Sequence, residues 1–511
     1  MLNMKNLYFV LVLFYSTISL GQNNINISNP LKLLAKEKTG LIINAGDTLM
    51  LTQVQVSTSS TANDYVVQYM MLNTQNQKFR IDAKEIKKFE FLEINDVKSF
   101  WLRASILKGT LEKTLSKGVQ YDLRNSLNED NLTYISSLEK NDRFFIDPYL
   151  EDYLYTLVSK IHNGVIIGHR PDNIVIKMLK DTDPNAFILS NGTIFITTGL
   201  LSTIRSEEEL MGILAHEIAH FVLDHQIINI NKETERRKRA EFWAGLAIVA
   251  SAGADIFLST KYENHIPGLL TYSTAAISAI ISSEVVERLG LKYSREQEFE
   301  ADNTAVEILN FVGIDSLGLS VTFERLKKHN ILTGNYLALS DKGTHPSLDS
   351  RINNIGKVKD LSTYSNPDFL KKVSRINSYN AWIELWYLAR HKNAIELADI
   401  NILNEVATES DYVVKAVALR RLYNNKISNE EALTLIQKAK SLNVLPIVIL
   451  NREEALTYLR LENKIEAKKS FGLYLSDLIE LQNSNINKSF INNIDDEIRW
   501  TKTMIFNINK I

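Results

Sequence analysis

Cysteine is absent from the 511 residues of this chain. Disulfides, thiolate metal sites, a cysteine nucleophile and a lipidated N-terminal cysteine are therefore excluded. Any zinc must be held by His, Asp or Glu. A surplus of charge of either sign is missing too: 58 Lys and Arg face 60 Asp and Glu, for a formal net charge of −2. That balance leaves no electrostatic footprint for nucleic acid, and no nucleic-acid partner is expected. What is present, 45% hydrophobic and 23% charged residues, suits a folded chain of more than one domain.

The chain starts "MLNMKNLYFVLVLFYSTISLGQNN". Lys5 precedes an uncharged, mostly apolar stretch from Leu7 to Leu20, and Ser19-Leu20-Gly21 offers a small-residue cleavage site before Gln22. This is the layout of a signal peptide over residues 1–21. The alternative is an uncleaved anchor, but the stretch falls short of the ~20 apolar residues of a span. Either reading puts the bulk of the chain outside the cytoplasm, in a periplasmic or envelope-associated setting. Two further apolar stretches, 242–260 and 266–283, are rich in Ala, Gly and Ser. They read as helices that pack on a neighbouring domain or associate peripherally with a membrane, rather than as spans.

Residues 22–125 read as a β-rich domain, with β-branched runs separated by Asn, Gln, Ser and Thr turns. From Asp147 the pattern turns helical: Leu150, Leu154, Leu157 and Ile161 share one face. "NAFILSNGTIFITTGLL" predicts two strands joined at Asn191-Gly192. Ser206 with Glu209 predicts a helix start. The last third, residues 361–511, reads as all helix. Ala398, Ala432 and Ala467 recur at 34 and 35 residues, each followed four residues later by Ile402, Ile436 or Phe471. That is the tetratricopeptide spacing, and such an array offers a surface to a protein partner. The competing reading is an unrelated helical bundle.

"ILAHEIAHFV" sets His216 and His220 four residues apart on the predicted helix, so both imidazoles point the same way. They can hold one Zn²⁺ per chain. Glu217, next to the first ligand, can accept a proton as water attacks a carbonyl and pass it to the leaving amine. The bland alternative is two satisfied core histidines on an apolar helix. The metzincin extension is absent, since Leu223 and Gln226 stand where it needs Gly and His. His225 falls off the metal-facing side and reads as structural or as support for a ligand. The third ligand must come from elsewhere. In "YSREQEFEADNTAVEIL", Glu298 and Asp302 are four apart and share a face. Glu298 can bind the metal and Asp302 can accept a ligand histidine's free ring N–H. Glu296 and Glu300 are rival carboxylates that spacing does not exclude.

"NAFILSNGTIFITTGLL", "EEELMGILAHEIAHFVLDH", "YSREQEFEAD" and "THPSLDSRI" together closely resemble the gluzincin metalloendopeptidases, the family of HtpX, the CAAX prenyl endopeptidase and the BepA-like proteases. The resemblance covers about Asp147 to Ile355. It implies His216, His220 and Glu298 as zinc ligands, Glu217 as general base, and Asp302 as the residue that orients a ligand histidine. It also implies that Thr193, Ile194, Phe195, Ile196 and Thr197 form the edge strand that receives a peptide substrate. His345 would stabilise the oxyanion or sit on the open zinc position, and Arg351 would brace the cleft.

The fold expected is therefore α+β and multidomain. Residues 22–125 would be β-rich, residues 126–360 a zincin-like α+β metalloprotease domain with an edge-strand cleft, and residues 361–511 an all-α tetratricopeptide-like solenoid. The function expected is a secreted zinc metalloendopeptidase with protein or peptide substrates, acting in envelope protein quality control with an envelope-complex partner at the repeats. The alternatives are a chaperone or assembly scaffold with little proteolysis, and a structural metal helix. An intact Glu217 favours the enzyme.

Overall fold

A computed structural model describes residues 23–40, 43–58, 65–115, 119–164, 174–230, 289, 291–333, 347–442, 449–483 and 491–508. These fall into two compact units, one up to Asn125 and one from Ser126 onward. The architecture is α+β.

The first unit carries an antiparallel sheet of β1 (Asn23–Ala35), β2 (Thr48–Thr58), β3 (Tyr65–Asn73), β4 (Lys78–Asp82) and β5 (Phe89–Phe91), in the order β4-β3-β2-β1-β5. Strand alternation buries Val67, Tyr69 and Met71 on one face of β3. On β2 the buried positions change parity, from Leu49 and Leu51 to Val54 and Val56. A bulge explains this: Leu51 pairs with Met71 but Gln53 with Met70, so Thr52 is an extra residue. The sequence reading ran the β-rich character on to residue 125, but the sheet stops at Phe91. α1 (Val97–Lys108) and α2 (Thr110–Leu115) follow. Asp96 caps α1 by accepting from the Ser99 N–H, and Gly109 ends it at φ 73°. Leu102, Ile106, Leu111 and Leu115 complete the sheet's apolar core.

α3 (Val119–Lys140) leads into the second unit. In α4 (Pro148–Ile161) Asp147 is the N-cap and Pro148 opens the helix, with Leu150, Leu154, Leu157 and Ile161 buried as the periodicity predicts. A three-stranded sheet follows, of β6 (Val175–Leu179), β7 (Ala186–Ile188) and β8 (Thr193–Thr197), in the order β6-β8-β7. β6 runs parallel to β8, and β7 antiparallel. The Asn191-Gly192 turn joins β7 to β8, with Gly192 at φ 83°.

Next come α5 (Thr198–Thr203), α6 (Glu207–Val222) and α7 (His225–Asn229). Ser206 caps α6 through the Glu209 N–H. The Glu209 carboxylate does not complete a capping box. It accepts from the Arg205 N–H at 3.0 Å and from Arg325 Nε at 2.8 Å. α8 (Arg295–Phe311) opens on a reciprocal capping box between Ser294 and Gln297. α9 (Leu317–Thr333) and α10 (Leu348–Ile355) follow. α6 packs against both α8 and α9. The α6–α9 crossing is close enough to need glycine: a Cβ on Gly212 would lie 2.9 Å from the Leu319 backbone, and one on Gly318 2.4 Å from Glu208 O.

The remaining described residues are helical: α11 (Pro367–Lys372), α12 (Ser374–Trp386), α13 (His391–Leu403), α14 (Glu409–Leu422), α15 (Lys426–Leu442), α16 (Ile449–Arg460), α17 (Lys464–Asn483) and α18 (Ile491–Ile508). Consecutive helices pack on one another, and Ala398, Ala432 and Ala467 are fully buried in the contacts. Polar links tie this array to the sheet region. Asn380 Nδ2 donates to Ser202 Oγ at 2.8 Å, Arg375 pairs with Asp147 at 2.6 Å, and Arg390 with Asp183 at 3.0 Å. Among the described residues no helix is long and apolar enough to cross a membrane. Residues 1–21, 242–260 and 266–283 lie outside the described residues.

Candidate metal centre

α6 is apolar because it is buried all round, and that burial carries His216, Glu217 and His220 into the interior. His216 Nε2 and His220 Nε2 lie 3.0 Å apart, one helical turn from each other. Glu298, in the first turn of α8, brings Oε2 to 3.5 Å from His216 Nε2. One ligand atom from each of the three residues lies within 4.8 Å of the others. Zinc bonds of ~2.0–2.1 Å in a tetrahedron set ligand atoms about 3.3 Å apart, so this spacing fits zinc. Two imidazoles and a carboxylate also suit zinc in a chain without thiolates. The rival acids are placed elsewhere. Glu296 is exposed, and Glu300 lies 3.1 Å from His225.

A second layer grips these three side chains. Asp302, one turn after Glu298, lies 2.9 Å from His216 Nδ1. Arg351, on α10, donates from Nε and Nη2 to Asp302 at 2.8 and 2.6 Å. Its Nη1 lies 3.2 Å from Glu298, and its guanidinium carbon sits 4.1 Å from the centre of the Phe323 ring. Burial alone would raise the Asp302 carboxyl, but the Arg351 charge and hydrogen bonds hold it below the usual carboxylate range. Arg351 is thus buried against both acids, and its Nη2 also lies 3.3 Å from each ring nitrogen of His216. The Tyr293 ring stacks on His220 at 3.8 Å, a contact no sequence spacing announced.

Glu217 is buried beside this group. Its carboxyl is pushed well above the usual range, first by burial and then by the Glu298 charge, while the Ile188 backbone hydrogen-bonds it. Ile188 ends β7, which packs on α6.

Two parts of the sequence reading change. Thr193–Thr197 is not an edge: β8 is the central strand, its backbone is paired on both sides, and all five residues are buried. The resemblance gave the edge role to this strand, whereas the pairing puts it between β6 and β7, which leaves its backbone no free side for a substrate. The outer strands are β6, which has one further bridge from Leu179 to Phe144, and β7, which packs against α6. His345 lies outside the described residues.

Two histidines a turn apart with a glutamate after the first, joined by a glutamate from a second helix, define a zincin-type metallopeptidase centre. Residues 149–359 match Peptidase family M48, and this part of the chain is a domain of that family. The chain is 29% identical over 197 residues to a mitochondrial metalloendopeptidase OMA1 of Bos taurus, covering 38% of this chain and 34% of that protein. It is 28% identical over 193 residues to a putative beta-barrel assembly-enhancing protease of Vibrio cholerae, covering 38% of this chain and 36% of that protein. A third relative, metalloprotease LoiP of Escherichia coli, is 26% identical over 220 residues, 42% of this chain and 76% of that protein. The chain thus spans about a third of the length of the first two relatives.

Proposed function

We propose that this protein is a zinc-dependent endopeptidase. The observation that carries the reading is the convergence of His216, His220 and Glu298 beside the buried Glu217. His216, His220 and Glu298 would hold one Zn²⁺. When bound, the ion would supply Lewis acidity toward water and a peptide carbonyl. Glu217 takes the proton of the attacking water on its carboxylate and hands it to the leaving amide nitrogen. Asp302 fixes the His216 ring through Nδ1, and Arg351 holds Asp302 and Glu298 in place against their mutual repulsion. The substrate backbone lies along β7 by strand addition; β7's one-sided pairing and the Ile188 contact with Glu217 support this.

The finer readings belong to the same proposal. The helices from residue 367 onward act as tetratricopeptide-like repeats that dock a protein partner. The buried alanines at Ala398, Ala432 and Ala467 support this. Lys5 and the apolar stretch behind it direct the chain out of the cytoplasm. An assembly-enhancing protease among the relatives favours a role in envelope protein quality control.

The test is metal analysis with digestion of an unfolded protein, with and without chelator, beside the Glu217→Gln variant. The variant should keep its zinc and lose about 10²–10⁴-fold in hydrolysis. Undiminished cleavage would remove Glu217 from the mechanism, and chelator-resistant cleavage would remove the metal.

A further inference from the structure

His225 follows His220 by five residues, which on one continuous helix would turn it away from the metal face. The chain does not continue as one helix. α6 ends at Val222, and Asp224 adopts the left-handed conformation at φ 58°, which aspartate tolerates better than most residues. The sharp turn restarts the chain as α7 at His225 and folds that side chain back behind the ligand. His225 Nδ1 lies 2.8 Å from His220 Nδ1, and His225 Nε2 lies 3.1 Å from Glu300 Oε2. His225 is fully buried, whereas the Glu300 side chain is 35% exposed. Gln297 Nε2 donates to the His225 carbonyl at 3.3 Å, which binds this turn to the helix that carries Glu298.

The proton positions in this chain of contacts follow from the outermost group. Two facing ring nitrogens share a single proton. His220 turns Nε2 toward the His216 and Glu298 ligand atoms, so its lone pair there is the one offered to a metal. The proton of neutral His220 then sits on Nδ1 and is donated to His225 Nδ1. His225 must carry its own proton on Nε2, where the Glu300 carboxylate accepts it. Every donor meets an acceptor in this direction. The two ligand histidines are therefore supported differently: His216 directly by the Arg351-paired Asp302, His220 through a second imidazole.

We infer that His225 and Glu300 are positioning residues for the metal ligand His220, selecting its Nδ1–H tautomer and fixing its ring. This rests on the metal reading of the site. The test uses the full chain and measures zinc affinity by competition with a chromophoric chelator, and the absorption spectrum of the cobalt-substituted protein. His225→Leu removes the acceptor and should weaken zinc binding about 10–100-fold and shift the cobalt bands. His225→Asn places Oδ1 where Nδ1 stood and should return affinity to within about threefold of native, since the acceptor is restored. Glu300→Gln keeps the shape but not the charge and should weaken binding by about threefold to tenfold.

Native affinity in a folded His225→Leu protein would overturn the inference, as would equal losses in the Leu and Asn variants. If circular dichroism shows the Leu variant unfolded, Glu300→Gln decides: native affinity there overturns the inference. A native chain that takes up no zinc would sink the metal reading itself, and this inference with it.

Discussion

The sheet of the first unit and the interior around α6 in the second differ in the charged groups they bury. The sheet of the first unit closes over apolar side chains, among them Leu31, Leu33, Leu49, Leu51 and Met71. The interior around α6 closes over Glu217, Glu298, Asp302 and Arg351, all less than a tenth exposed. The first is the ordinary source of stability, about 25 cal/mol for each Å² of apolar surface removed from water. The second opposes stability: buried ions each cost several kcal/mol of desolvation, and their mutual attraction offsets this only when the geometry is good. One arginine faces three acids there, with both Asp302 and Glu298 within salt-bridge distance of it. A core of that kind is retained for what it holds.

The contrast is testable, and the largest effect should come from Arg351. Arg351→Met leaves Asp302 and Glu298 buried without their partner and should destabilise the metal-free protein by about 3–5 kcal/mol. Urea denaturation in the presence of chelator measures it. A loss below about 1 kcal/mol would mean that the acids are neutral in the native protein and that the contrast fails. In the sheet, Leu51→Ala should cost about 2–5 kcal/mol through lost burial and the cavity left behind. Zinc affinity should stay at the native value, because Leu51 belongs to the other unit. Reduced zinc binding in that variant would show that the two units are coupled. The smallest effect is expected at Glu296, exposed at the start of α8. Glu296→Gln should change stability by no more than about 0.5 kcal/mol and leave zinc binding unchanged. A large loss of zinc there would reopen the choice of third ligand.

Much of the site was legible before any coordinates, because its parts are local. A four-residue spacing on a helix sets the angle between two side chains whatever the helix packs against, so His216 and His220, and Glu298 and Asp302, were paired correctly by spacing alone. The hairpin at Asn191-Gly192 and the start of α6 after Ser206 were legible for the same reason. The bulge at Thr52, the helices after Phe91 and the stacking of Tyr293 on His220 were not. Each depends on contacts that sequence distance does not encode. His225 was read as structural or as support for a ligand, and spacing could not choose between the two, because its orientation follows from a single left-handed residue, Asp224, that interrupts the helix.

By itself the sequence determined the groups on offer: oxygen and nitrogen donors at a spacing that suits a metal, a carboxylate beside them, and a helix to present them. Only the tertiary structure decided which of three glutamates turns inward, that β8 is central and β7 an outer strand, and that Arg351 pairs with both Asp302 and Glu298. The physical reason is range. Periodicity fixes what lies along one element, whereas the facing of one element toward another is settled by packing between residues far apart in the chain.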